Sequence, residues 1–349
     1  MASDQEDEPT ADGADPGAPL AAVARLTLAA EQAAVLRGAL KSGFLARCAR
    51  PVTVGQLARA SGLNETRTRD LCAALRALGT LAPDGQGRLV VTEDYAPLLA
   101  GGADKSALAQ LESSAVRQEQ IGRLFADRRP GWYWRTDAGS RRAFAAGVTF
   151  EPATDLARSL VGVCVSGVAE WRDAFTSGAR YLELGCGVAG ALLTYLQLYP
   201  KVTAVGVELA GDLIEDARAQ AAALGVADRV RFVAGDAAAF IDPVPFDVVF
   251  WSQFFFPQAS RPGALATALA RLRSGGLLVA PVLGTGTAVS ATDDAAPDEE
   301  ASLDALLFRS LDVPIISGPG LASEFEAAGF VNAQVHDIPL VTVVTARRP

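Results

Sequence analysis

Tyr181-Leu182-Glu183-Leu184-Gly185-Cys186-Gly187-Val188-Ala189-Gly190 is an apolar strand with one acid inside it, running into a glycine turn and then a helix. Glycines at 185, 187 and 190 carry no Cβ to hold a ligand off the backbone, and they permit positive φ between strand and helix. The spacing is G-x-G-x-x-G, a weak signal by itself for a nucleotide-like cofactor.

Three acids sharpen it. Glu183 lies two residues before the first glycine, where a carboxylate meets an amine-bearing or cationic ligand and a pyrophosphate would be repelled. Glu208 follows Gly187 by 21 residues at the end of the apolar run Val202–Val207, placed to accept both hydroxyls of a ribose. Asp236 follows the strand 229–234 in Gly235-Asp236-Ala237, where a carboxylate and the next N–H can read an adenine edge. Acids at three successive strand ends suit adenosine carrying an amino acid and a sulfonium, with no phosphate. The dinucleotide fingerprint shares the glycines and the distal acid, but its turn normally lies near the start of its domain and follows a strand without a buried acid.

These residues resemble the class I S-adenosylmethionine (SAM) dependent methyltransferases of the small-molecule O-methyltransferase type with an N-terminal winged helix. The likeness rests on E-x-G-x-G, the ribose acid, the Gly235-Asp236 pair and Phe246-Asp247-Val248-Val249-Phe250-Trp251-Ser252, which looks like that family's fourth strand. It covers about residues 150–349. It implies an α/β fold with a doubly wound, mainly parallel seven-stranded sheet, SAM as cofactor, a homodimer and a small-molecule acceptor. The cofactor set is then Glu183, Gly185, Gly187, Glu208, Leu209, Asp236, Ala237 and Ser252.

The family's general base is absent from this chain. Matching Asp247 and Ser252 to the family's strand places Phe256 where its histidine deprotonates the substrate hydroxyl, and phenylalanine accepts no proton. The only histidine, His336, falls in a later strand away from the cofactor edge. Gln253, which can orient a nucleophile or cap the strand, and Tyr133, a conceivable acid or base, are the candidate catalytic side chains. Trp132 and Trp134 can stack on a planar substrate or pack between elements, and with Phe150, Trp251, Phe255 and Phe256 they are the expected acceptor wall. A retained fold without methyl transfer, the cofactor's charge assisting a rearrangement, cyclisation or hydroxylation, is the alternative.

Outward from this core, alternating strands and helices are expected from Tyr181 on, with strands at 180–184, 202–207, 229–234, 246–251, 276–282, 331–337 and 340–347. The last two are too close for a crossover helix and must form an antiparallel hairpin. A single helix is expected over 153–175 and a long one over 104–129, ending in Arg128-Arg129-Pro130. Residues 20–48 have helical spacing; then 54–60, a turn, 65–78 and a glycine hairpin before 88–92 make a winged helix. Domains are therefore expected at 20–150 and 151–349, after an acidic disordered tail, 1–19.

Five arginines and five acids over residues 51–100 leave no positive surplus for a duplex reader, so a transcription regulator is the weakest class. Of 40 acids in the chain, six lie in the tail and six in 293–304; the remaining 28 face 31 bases. That near-neutral body calls for neither nucleic acid nor an anionic membrane. The acidic segment 293–304 reads as a solvated loop or as a lid favouring cationic substrates. No apolar run approaches the ~18 residues of a membrane helix, and the N-terminus lacks a signal peptide's pattern. Cys48, Cys72, Cys164 and Cys186 fall at spacings that fit neither a metal site nor a disulfide framework, in keeping with a cytoplasmic protein. Alanine richness and the absence of methionine after Met1 fit a high-GC genome, and specialised metabolism such as antibiotic biosynthesis is a reasonable setting.

Overall fold

A computed structural model describes residues 18–126, 129, 131–282, 299–339 and 341–349. The tail through residue 17, Arg128, Pro130, Leu340 and the acids Asp293, Asp294 and Asp298 lie outside the described residues. The chain divides between Leu99 and Ala100 into two compact units.

In the first unit, α1 (Ala18–Lys41), α2 (Val54–Ser61) and α3 (Glu65–Ala77) precede an antiparallel pair, β1 (Leu81–Pro83) and β2 (Leu89–Val91). Thr53 and Gln56 form a reciprocal capping box at α2, and Asn64 caps α3. Asp84 shapes the hairpin turn by accepting from the N–H groups of Gln86 and Arg88. Leu45, Leu57, Leu75 and Leu81 fill a small core, whereas Leu20, Val23, Leu26 and Leu28 of α1 are exposed. By length and composition alone α1 is apolar enough to cross a membrane, which corrects the expectation that no segment approached that test.

The second unit opens with α4 (Ala103–Arg123), α5 (Trp132–Arg135), α6 (Ala138–Gly147), α7 (Asp155–Ser166) and α8 (Ala169–Ser177). There follow β3 (Arg180–Leu184), α9 (Gly190–Leu198), β4 (Thr203–Glu208), α10 (Gly211–Ala223), β5 (Val230–Ala234) and β6 (Phe246–Trp251). The unit closes with α11 (Arg261–Arg271), β7 (Leu272–Pro281), α12 (Glu299–Arg309), α13 (Gly318–Ala327), β8 (Val331–Ile338) and β9 (Val341–Arg347). The seven strands are ordered β5-β4-β3-β6-β7-β9-β8, parallel except that β9 runs against both neighbours. This is the expected doubly wound sheet with its terminal hairpin.

Two differences from the sequence expectation have physical causes. Residues 100–150 cluster with the sheet unit and not with the N-terminal module: Arg117 of α4 pairs with Asp304 of α12, and Arg141 and Arg142 of α6 pair with Asp212 and Asp216 of α10. The helix expected over 153–175 is broken between α7 and α8, where Val168 is extended and the bare Cα of Gly167 admits Ile338. The described part of the acidic segment is not a loop: it begins α12, where Asp304 pairs with Arg117 of α4.

The sheet is buried on both faces. Tyr181, Val248 and Phe250 join α7, α8 and α9 on one face, while Leu182, Leu184, Val249 and Trp251 join α11 and α13 on the other. The chain departs from β3 to opposite sides, toward β4 and toward β6, so a crevice opens beyond the carboxyl ends of these strands.

Candidate active site

At the tip of β3 the backbone turns through Gly185 (φ 77°) and Gly187 (φ 54°), with Ala189 also left-handed at 61°. The turn is pinned to β4: Gly185 and Cys186 donate to Val207 O, and Gly187 N donates to Glu208 Oε2 at 2.9 Å. The glycines serve different needs. A Cβ on Gly187 would meet nothing within 4 Å, so the backbone there is bare toward open space. One on Gly190 would lie 2.1 Å from Phe150 O, so that glycine admits the 149–150 backbone and not a ligand.

Beyond the turn lies a cavity of about 690 Å³, within the range that holds drug-sized ligands. Glu183, Glu208 and Asp236 from three adjacent strand ends line it, and among the described residues no Lys, Arg or His does. Glu183 is buried, pairs in register with Phe250 and accepts from Tyr181 Oη at 2.7 Å. Burial first, and then the charge of Glu208, push its carboxyl up to about 8, against the opposing bond from Tyr181. Glu208 is held by two backbone donors, Gly187 N–H and Ala210 N–H, each at 2.9 Å. Its pKa is also raised, chiefly by burial. Asp236 is exposed at the rim and accepts from Ala238 N at 2.8 Å. Two buried carboxyl groups with no Lys, Arg or His among the described lining residues make a site suited to a ligand that brings its own positive charge.

Leu209, Ala237, Ser252, Phe255, Phe256 and Phe150 line the same cavity, as do Tyr133 and Trp134. Burial raises the Tyr133 phenol far above its ordinary range, so it stays protonated and serves as a hydrogen-bonding hydroxyl, not as a phenolate base. Phe256, where the resemblance puts a histidine, lies against Gly185, whose added Cβ would be 2.8 Å from its ring. His336 is remote on β8, its Nε2 2.8 Å from Thr345 Oγ1.

Three expected residues do not reach the cavity. Trp251 follows Phe250 on β6 and so points to the opposite sheet face, under the guanidinium of Arg261 at 4.6 Å. Gln253 is consumed internally: its amide donates to Pro281 O, and its Oε1 accepts from Arg261 Nη1 at 2.8 Å. Trp132 packs on Phe144 and donates its indole N–H to Ser310 Oγ.

A family model described as a methyltransferase domain matches residues 182–276. Sequence comparison with curated proteins gives no match. An O-methyltransferase family protein from Burkholderia thailandensis superposes with TM-score 0.70 at 19% identity, covering 94% of this chain and 98% of that one. Human N-acetylserotonin methyltransferase, solved with SAM, gives 0.68 at 14% over 97% and 99%. Mitomycin 7-O-methyltransferase gives 0.67 at 19% over 95% and 98%. The fold is that of the class I SAM-dependent methyltransferases.

SAM suits this version of the class I fold on the structure's own terms. An ammonium answers Glu183, hydroxyls answer the remaining lone pairs of Glu208, and bare Gly187 leaves room above the backbone. The inner lining of the cavity was not anticipated from sequence: Cys164 of α7, Trp171 of α8, Tyr195 of α9, and Val341 and Val343 of β9. These residues come from elements far apart in the chain, and helical or strand spacing shows only that each faces a core.

Proposed function

We propose that the protein is a SAM-dependent methyltransferase acting on a small-molecule acceptor of specialised metabolism; the names of two structural relatives, a mitomycin 7-O-methyltransferase and an N-acetylserotonin methyltransferase, describe methyl transfer to small molecules for those proteins. One observation carries the reading: carboxyl groups at the tips of β3, β4 and β5 surround a bare glycine turn in a cavity with no Lys, Arg or His among its described lining residues. Glu183 accepts from the methionine ammonium, Glu208 from the ribose hydroxyls, and Asp236 with the Ala237 backbone meets the adenine, beside Leu209 and Ser252. When bound, SAM supplies an electrophilic methyl on a cationic sulfur. The chain's own part is to orient the acceptor and exclude water, with Tyr133, Trp134, Phe150, Phe255 and Phe256 as the wall. No metal enters this chemistry.

Lack of the family's histidine is tolerable in energy. A general base contributes about 10²–10⁴-fold, roughly 3–5 kcal/mol, whereas positioning two reactants supplies about 7–11 kcal/mol. Phe256 also motivates a second reading, a SAM-binding enzyme that does not transfer methyl. Calorimetry with S-adenosylhomocysteine (SAH) against NADH tests the cofactor; tight NADH binding with no heat from SAH would end the proposal. Incubation with methyl-labelled SAM and candidate acceptors then separates the two readings, since product without label excludes methyl transfer.

The N-terminal unit serves as a winged-helix dimerisation module in a cytoplasmic homodimer, the exposed leucines of α1 being covered by a second copy. The balanced charge of residues 51–100 supports this role over DNA binding. Sedimentation of the full chain and of a Leu20→Glu, Leu26→Glu variant tests it; a monomeric wild type would exclude it.

A further inference from the structure

The methyl acceptor shares its cavity with the cofactor, a placement that rests on the proposed SAM-dependent function. Away from the strand tips the lining turns apolar, with Trp171 stacked obliquely near Phe250, their centroids 6.0 Å apart, and Val341 and Val343 beside them. Two polar groups there have no hydrogen-bond partner among the described residues: the Trp171 indole N–H, which is sealed from solvent, and the Tyr195 hydroxyl, which is not. Tyr195 is 3% exposed, yet its hydroxyl has no hydrogen-bond partner among the described residues and is not among the polar atoms sealed from solvent. A buried hydroxyl without a partner is costly unless a ligand or water supplies one, so this O–H awaits an acceptor oxygen.

Charge adds a second constraint. Glu183, Glu208 and Asp236 contribute three carboxylates, and among the described residues no lining cation opposes them. Arg141, which lies behind Tyr133, is tied to Asp212 at 3.1 Å and to the carbonyls of Tyr133 and Thr136. With the cofactor bound, its ammonium is taken up by Glu183 and its sulfonium is balanced by its own carboxylate, so an acceptor bearing a carboxylate or phosphate would find no side-chain cation among the described lining residues to pair it.

We propose that the cavity selects a flat aromatic acceptor that is neutral or cationic and carries a hydrogen-bond-accepting oxygen, with Tyr195 as the specificity-determining residue that donates to that oxygen. The Tyr195 phenol is held well above its ordinary pKa by burial, so it remains a donor across the working pH range.

The test uses the full chain saturated with SAH and three probes of one bicyclic shape: methyl 1-naphthoate, 1-naphthoate and 1-naphthylmethylammonium. Calorimetry at pH 7.5 is expected to show the ester and the ammonium binding and the carboxylate at least tenfold weaker. Tyr195→Phe is expected to weaken the ester about tenfold while leaving the ammonium and SAH unchanged, the last also reporting that the variant is folded. The carboxylate binding as tightly as the ester, an ester affinity indifferent to Tyr195→Phe, or no binding by any probe would overturn the proposal. The charge arm needs only wild-type protein. Failure of the cofactor reading is distinguishable, because it appears in the preceding SAH titration alone.

Discussion

Replacing Glu183 by glutamine is expected to raise stability and weaken cofactor binding at once, each with its own pH dependence. Without cofactor, burial pushes the carboxyl from its ordinary 4.5 up to about 8. Facing it are Tyr181 on its own strand, Tyr195 of α9, Glu208 of β4 and Cys186 of the turn, none of them cationic. The folded protein therefore keeps a proton that the unfolded chain releases near 4.5. Stability falls as pH rises from about 4.5 to 8 and is flat beyond, a loss on the order of 5 kcal/mol if the whole shift is expressed. Glu183→Gln removes that loss. Its Tm should match wild type near pH 4.5 and exceed it by about 5–10 °C at pH 8.5. SAH binding should run the other way. With ionisation at about 8, only ~1% of empty sites are ionised at pH 6, so wild-type affinity should improve roughly 100-fold between pH 6 and 9 as the carboxylate forms to meet the ammonium. Glutamine should cost about 1.5–3 kcal/mol of binding at pH 8.5 and abolish that slope, any slope left reporting the ligand's own amine. Scanning calorimetry and isothermal titration across pH 6–9, in buffers of different ionisation enthalpy, measure both effects and the proton released. A Tm difference that does not grow with pH, or a variant that keeps the wild-type binding slope, would refute the assignment of a protonated Glu183 to the empty site.

The glycine turn separates packing from binding: Gly190→Ala drives a Cβ into Phe150 O and should cost more than about 3 kcal/mol in denaturant unfolding. Gly187→Ala, pointing into open space, should cost about 1–2 kcal/mol from its positive φ and yet abolish SAH binding in calorimetry. Ala189→Gly should stabilise the protein by about 0.5–1 kcal/mol by the same measure, since it relieves a left-handed alanine. Arg261→Met should cost about 3 kcal/mol by leaving Glu324 and Gln253 without their buried partner, and adding Glu324→Gln should recover part of it. His336→Ala should leave methyl transfer and its pH profile unchanged in a labelled-methyl assay, because the ring, on β8, is bonded to Thr345 of β9 and does not line the cavity.

The strands were legible because β-branched and aromatic runs between turn residues leave little choice, and observed bounds agree with expected ones to within a residue except at the start of β7. The strand-tip acids were legible for a similar reason: they are polar residues interrupting apolar runs. Legibility ended where neighbours far apart in sequence decide. Trp251 illustrates this. Five of the six residues of Phe246–Trp251 are buried and the sixth, Asp247, is half-buried, so the strand lacks the polar–apolar alternation that would tell one sheet face from the other. Only the register with Glu183 shows that Phe250 takes the cavity side. Gln253 is equally opaque, since its partner Arg261 sits at the start of the next helix and is itself completely buried, an uncommon place for a lone arginine until Glu324 is seen beside it.

The aromatic ring at 256 and the acidic lining constrain the acceptor jointly. Phe256 closes against Gly185 and stacks edge-on to Trp251 with centroids 5.6 Å apart, so this wall offers no proton acceptor to an alcohol or phenol. An acceptor that arrives already ionised escapes that requirement, but it must then enter a cavity whose charged side chains, among the described residues, are all acidic. A neutral nitrogen or an electron-rich ring carbon meets both conditions: it attacks without first losing a proton, and the cationic intermediate it forms is stabilised by the surrounding carboxylates until that proton is shed. The carboxylates that make the empty site costly would in this way favour charge that develops only after the acceptor has reacted.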